Sequence, residues 1–180
     1  MPLENIFTIS TDEEFNAMAL KTFQVQYNEN LVYQEFCHHL GKNVSTVKTL
    51  EDIPFLPIEF FKSKKVICGS FTPKITFTSS GTTGSEVSKH HVKNLELYEN
   101  SYLTAFRHFY GDIEDYCVLA LLPSYLEREG SSLIYMANDL IHKSKHPDSG
   151  FYLDDLDRLQ KTLLELDAQN TKTLLLGVSF

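Results

Sequence analysis

Cysteine is scarce in this chain: Cys37, Cys68 and Cys117 are the only three, and no two of them make a CxxC pair. An odd number at wide spacing argues against a disulfide framework or a cysteine zinc site, and reduced thiols of a cytoplasmic protein are the expectation. Positive charge is short too. The formal net charge is -8, so no global basic field attracts nucleic acid, and a phosphate ligand has to be held by local groups. The longest apolar runs, VLALLP and LLLGV, are far too short for a membrane span. The N-terminus MPLENIFTIS has no basic segment followed by an apolar core, so no signal peptide is read there. A soluble protein is expected. Its 180 residues suffice for one moderate domain that buries roughly 70% of its unfolded surface. Glycine is also sparse, with eight in all, yet two stand in one hydroxyl-rich stretch, FTSSGTTGSEVSKHH, from Phe77 to His91.

Around that stretch the pattern alternates helix and strand. Thr11, with Glu14 three positions on, predicts a capping box that opens a helix, with Phe15, Met18, Ala19, Thr22 and Phe23 recurring on one face. A second helix carries Leu31, Val32, Glu35, Phe36 and His39 and stops at Gly41. Pro54 and Pro57 keep the next segment extended and deny it a helix. KITFT reads as a short strand that runs straight into the loop, and SEVSKHHV as another. A helix follows with Leu95, Tyr98, Tyr102, Phe106 and Phe109 on one face and Gly111 as its stop. YCVLALLP and TKTLLLGVSF read as strands buried on both faces. SSLIYMANDLIHKS reads as a helix capped by Ser131 or Ser132, and DDLDRLQKTLLELD as a helix with acids in its first turn. The fold class is α/β: residues 1-50 mainly helical, 51-180 a layered sheet with flanking helices. The strand pattern still runs at Phe180, so the chain reads as the N-terminal portion of a longer protein, with apolar surface suited to self-association.

A strand that leads into SSGTTGS suits anions. Gly81 and Gly84 permit positive φ, so successive N–H groups can converge on one point as a nest. Ser79, Ser80, Thr82, Thr83 and Ser85 add hydroxyls, and Lys89 brings a charge. Each hydrogen bond to a charged oxygen contributes roughly 1.5–3 kcal/mol, so three or four seat a triphosphate. The rival reading is a slack linker. The loop is neither GxxxxGK[ST] nor GxGxxG, and the chain has no GxSxG elbow.

FTSSGTTGS resembles the phosphate-binding signature of adenylate-forming enzymes, the superfamily of acyl-CoA synthetases, adenylation domains and luciferases. LPIEFFKSKKV before it and LALLPSYLEREGSSLIYMANDLI after it look like the acyl-protein synthetase (LuxE-type) branch. The resemblance covers roughly residues 50 to 142. It implies part of an adenylate-forming N-terminal domain, within which residues 1-180 are the N-terminal portion. It also implies a cytoplasmic ligase that uses ATP and Mg2+: a fatty or other organic acid attacks the α-phosphate, and a protein thiol or CoA takes the acyl group. Ser79, Ser80, Gly81, Thr82, Thr83 and Gly84 would embrace the β- and γ-phosphates, a matter of positioning and charge stabilisation. Ser124, Tyr125, Arg128 and Ser131 would sit at a strand's carboxyl end as substrate residues. Lys89 and Arg128 are the candidate catalytic cations. Where the superfamily has Pro-Lys, Glu86 and Val87 stand here, and the lysine comes at Lys89. Family elements for adenine, ribose, the metal-binding acid, the mobile lysine and the acyl-carrying cysteine have no counterpart, so the 180 residues alone are expected to be inactive.

Other candidates keep two readings each. His142 and His146 are four apart, as two helix-borne metal ligands are, but Pro147 follows and no third ligand is evident. Lys62, Lys64 and Lys65 form a solvated loop face or attract an anionic carrier or CoA. Glu127, Arg128 and Glu129 are a local salt-bridge cluster or part of a site. An aryl-CoA ligase of the phenylacetate type and a non-catalytic nucleotide-binding or interaction module remain the alternative functions.

Overall fold

The computed structural model describes residues 3–79, 86–124 and 130–178. The chain divides into two compact units, Met1–Leu97 and Tyr98–Phe180.

In the first unit, α1 (Asp12–Glu29) starts at the expected box. Thr11 Oγ1 accepts from the Glu14 amide at 3.2 Å, and the Glu14 carboxylate accepts from the amides of Ser10 at 2.8 Å and Thr11 at 3.3 Å. A single residue separates α1 from α2 (Leu31–His39). That residue is Asn30, buried, whose Oδ1 takes the Tyr33 amide at 3.2 Å and whose Nδ2 donates to Gln26 Oε1 at 3.1 Å. It closes one helix and caps the next. Gly41, at φ +67°, ends α2 in a conformation that L side chains resist.

The core beneath joins Phe23, Tyr27, Tyr33, Cys37 and Val47, with Leu20, Phe36, Ile53 and Leu56 packed against them. Its tyrosines are satisfied: Tyr33 Oη donates to the Pro54 carbonyl at 2.7 Å, and Tyr27 Oη lies 2.6 Å from His38 Nε2. Phe15, expected on the buried face, is 53% exposed. At 1.5 Å per residue α1 is about 27 Å long and α2 about 13 Å, so α2 can cover only part of α1. The prolines behave as expected through residue 57, but a helical turn, α3 (Phe60–Ser63), follows directly. An antiparallel pair, β1 (Ile75–Thr78) and β2 (Lys89–Val92), completes the unit.

The second unit is built around β3 (Cys117–Leu121), flanked in parallel by β4 (Gly150–Phe151) and β5 (Thr173–Gly177). Residues Cys117 to Ala120 are wholly buried. One face of β3 sends Val118 into a cluster with Tyr102, Phe106, Ile113 and Leu140, from α4 (Glu96–Tyr110), the following turn and α5 (Ser132–Ser144). The other sends Cys117 and Leu119 against Tyr152, Leu159 and Leu166, the leucines being on α6 (Leu156–Ala168). A continuous apolar run thus serves two layers, since successive strand residues face opposite ways. Polar contacts lock α4 to α5: Tyr102 Oη donates to Asp139 and Tyr135 Oη to Glu99, both at 2.5 Å. Burial and the Asp139 carboxylate push the Tyr102 hydroxyl's pKa well up.

Two expectations fail here. β5 is an edge strand and not a buried one, with Leu175 49% exposed, while Leu174 and Leu176 join the opposite side's packing. Phe109 is 75% exposed, because the α4 stripe advances by four through Tyr98, Tyr102 and Phe106 and leaves Phe109 to one side. The mixed α/β class stands. Among the described residues no helix is long and apolar enough to cross a membrane.

Candidate functional site

The hydroxyl-rich loop hangs from the β1–β2 hairpin. Register pairs Ile75 with Val92, Thr76 with His91, Phe77 with His90 and Thr78 with Lys89. Beyond the ladder, the Ser79 amide donates to the Ser88 carbonyl at 3.1 Å, and the Ser88 amide donates to Ser79 Oγ at 3.0 Å. Ser79 therefore closes the stem. Its hydroxyl still has a proton to donate. Ser80, Gly81, Thr82, Thr83 and Gly84, like Ser85, lie outside the described residues.

Alternation along the strands sorts the stem into two faces. Ile75, Phe77, His90 and Val92 share one, on which the His90 ring meets Phe61 of α3 with centroids 6.2 Å apart. Thr76, Thr78, Lys89 and His91 share the other, where Thr76 Oγ1 and His91 Nδ1 are 3.0 Å apart. Lys89 stands exposed at the loop-proximal end of that polar face. No carboxylate among the described residues lies within ion-pair distance of it.

Of the second group, Ser124 lies three residues past the carboxyl end of β3, half-buried, and Ser131 is the N-cap of α5, its Oγ taking the Ile134 amide at 3.4 Å. Tyr125 and Arg128, with Glu127 and Glu129, lie outside the described residues. A depression of about 320 Å³ elsewhere in that unit is lined by Leu103, Phe106, Arg107, Gly111, Ile113, Glu114, Lys143 and Lys145. None of the candidate site residues lines it.

The histidine pair is not brought together as metal ligands. α5 ends at Ser144 and Lys145 turns to φ +56°, so His146 is off the helix. His142 Nδ1 contacts the Asn138 carbonyl at 2.6 Å, and His146 Nδ1 accepts from the Asp148 amide at 3.2 Å. The described residues contain no group of three or more His, Cys, Asp or Glu side chains suited to a metal. Burial pushes the thiols of Cys37 and Cys117 up, and both are inaccessible. Cys68 is also pushed up by burial, and its Sγ contacts Gln26 Oε1 at 3.1 Å.

One feature escaped the whole-chain charge. Residues 60–93 hold six of the 16 Lys and Arg but only one, Glu86, of the 24 Asp and Glu. Those six are Lys62, Lys64, Lys65, Lys74, Lys89 and Lys93, and none pairs with a carboxylate among the described residues. Lys93 sits instead over the Phe71 ring, 5.9 Å from its centroid. A running charge count along the sequence carries this signal, which a total of -8 hides. Compared with family models, curated proteins and solved structures, the chain finds no match.

Proposed function

We propose that the chain belongs to an ATP-dependent acid-activating ligase of the acyl-protein synthetase kind, within the adenylate-forming superfamily. On this reading a fatty or other organic acid becomes an acyl-adenylate, and a protein or carrier thiol then takes the acyl group. The supporting observation is the loop's setting: the Gly/Ser/Thr run follows a closed hairpin stem at whose loop-proximal end Lys89 has no carboxylate partner among the described residues, in the most cationic stretch of an acidic chain. A phosphate cradle needs convergent backbone N–H groups and an uncommitted charge nearby. Mg2+ would arrive on the nucleotide phosphates, and none of the described carboxylates is assigned to it. Ser124, Tyr125, Arg128 and Ser131 remain proposed substrate residues. Buried Cys37 and Cys117 make poor acceptors and half-buried Cys68 is hydrogen-bonded to Gln26, so the proposed acceptor is another group.

The test is a titration of ATP and of tripolyphosphate against the isotope-labelled 180-residue chain, followed by NMR. Chemical-shift changes centred on Ser79, Ser88 and Lys89 are expected, with millimolar affinity, roughly -4 kcal/mol. Pyrophosphate–ATP exchange with a panel of acids is expected to be absent from these residues alone. Shifts that spare the hairpin would remove the phosphate-loop reading, and robust exchange would overturn the assignment of catalytic groups to other sequence.

A further inference from the structure

The segment before the hairpin sorts its side chains in and out. Ile53 and Leu56 pack on the first unit's core, Phe60 meets Phe36 with ring centroids 5.7 Å apart, and Phe61 meets His90. Facing outward are Phe55, 85% exposed, Ile58, 69% exposed, and the exposed Lys62, Lys64 and Lys65. Inward anchors and two prolines hold the segment, so showing Phe55 and Ile58 to solvent is not a result of slack chain. The three lysines have no carboxylate partner among the described residues. One acid, Glu59, stands among them, also exposed.

We propose that residues 55–65 are a peripheral docking surface for the anionic face of a phospholipid bilayer. Exposed apolar groups beside a lysine cluster match the boundary between acyl chains and headgroups, where Phe and Ile enter the apolar layer and ammonium groups meet lipid phosphates. A protein partner fits less well, because the centres of protein interfaces are depleted of lysine. A symmetric second copy would set the same lysines against one another, and like charges there are repulsive. Lys62, Lys64 and Lys65 are all exposed, whereas small anions are bound in enclosing clefts. Binding through two apolar side chains and three charges is weak and reversible, with no spanning helix involved. It does not depend on the phosphate-loop reading.

Vesicle flotation of the full chain tests this, with phosphatidylcholine vesicles carrying about 30% phosphatidylserine set against pure phosphatidylcholine. The chain is expected to float with the anionic vesicles only and to be released by added salt. K62Q/K64Q/K65Q should lower the partition coefficient at least about tenfold and F55S/I58S about fivefold, both with unchanged circular dichroism. Glu59→Gln should raise it. K21Q/K48Q/K145Q removes the same charge elsewhere and should change it less than about twofold. Failure of the wild-type chain to float would overturn the proposal, as would equal losses in the two lysine triples. Concentration-dependent dimers that F55S/I58S abolishes, without flotation, would assign the face to a second copy instead.

Discussion

The two units treat their charges differently. In the second, four of the six described Lys and Arg side chains are committed to carboxylates: Arg107 to Asp112, Lys143 to Asp139, Lys161 to Glu165 and Lys172 to Asp115. A fifth, Arg158, lies over the Tyr152 ring, 4.9 Å from its centroid. In the first unit, Lys42 with Asp52 is the one ion pair among the described residues, although the unit holds nine lysines. Their cores differ too. The second closes over a strand with four consecutive inaccessible residues, whereas the helical cluster of the first joins five buried residues, two of them tyrosines tied to polar partners. Among the described residues the second unit thus commits most of its cations to partners within the fold, and the first leaves most of its own without a carboxylate. Surface pairs contribute only about 0–1 kcal/mol each, so the contrast concerns what the surface can bind more than how stably it folds.

Several substitutions would break or sharpen that contrast. The largest effect is expected at Gly81→Val, where a β-branched residue resists the positive φ that glycine permits and crowds the approach of phosphates. ATP-induced NMR shifts in the hairpin should disappear while circular dichroism is unchanged; persistence of the shifts would break the link between loop and ligand. Next comes Leu119→Ala, in the wholly buried centre of β3. It should cost about 2–5 kcal/mol. Hydrogen exchange should show the loss confined to the second unit, and an equal loss of protection in α1 and α2 would show that the units do not fold separately. Lys89→Ala should weaken tripolyphosphate binding about tenfold, or about 1.4 kcal/mol, the scale of one charge-assisted contact. An unchanged titration curve would return Lys89 to the solvated surface.

A smaller, pH-dependent effect is expected at Asp52. Its carboxyl is held down to about 2, from an ordinary 3.8, first by the hydrogen bond from Lys42 and then by the amides of Lys48 and Thr49. A carboxyl whose folded pKa lies below its unfolded one adds stability above the unfolded value, and that stability is lost as pH falls through the folded one. The first unit should thus weaken between about pH 4 and pH 2, and Asp52→Asn should flatten that part of its denaturation profile. The smallest effect belongs to Phe109→Ser, on an exposed site, expected within about 0.5 kcal/mol. A larger loss would mean that Phe109 is covered in solution.

Much of this was readable from local chemistry. Thr11 and Glu14 announced α1 because a capping box is written in two residues, and of the two serines that could cap α5, Ser131 does. VLAL announced a doubly covered strand, but LLLG looked alike and is an edge: an apolar run reports the strand's own character and not its neighbours. β4, only two residues long, carries too little pattern to find. Phe15 is exposed because helical spacing gives a face and only the partner's length decides how far it is covered, and Phe109 because the buried α4 stripe advances by four and passes it by. At the candidate site the loop was visible from its composition. Its hairpin setting was half visible, as two strands without a register. That the lysines around it lack carboxylate partners among the described residues emerged only with the ion pairs of the fold.

The central strand also sets an order of events during synthesis. Cys117–Leu121 hydrogen-bonds in register with Thr173–Gly177, and the two are joined by α5, β4 and α6. Such a pairing cannot begin until the later strand has left the ribosome, and distant partners close slowly even then. α1 and α2, separated by one residue, have no such wait. For the time it takes to make residues 122–177, the nascent protein holds its most apolar strand without that completed neighbour. During that interval Val118 and Leu119 are the residues a chaperone would meet.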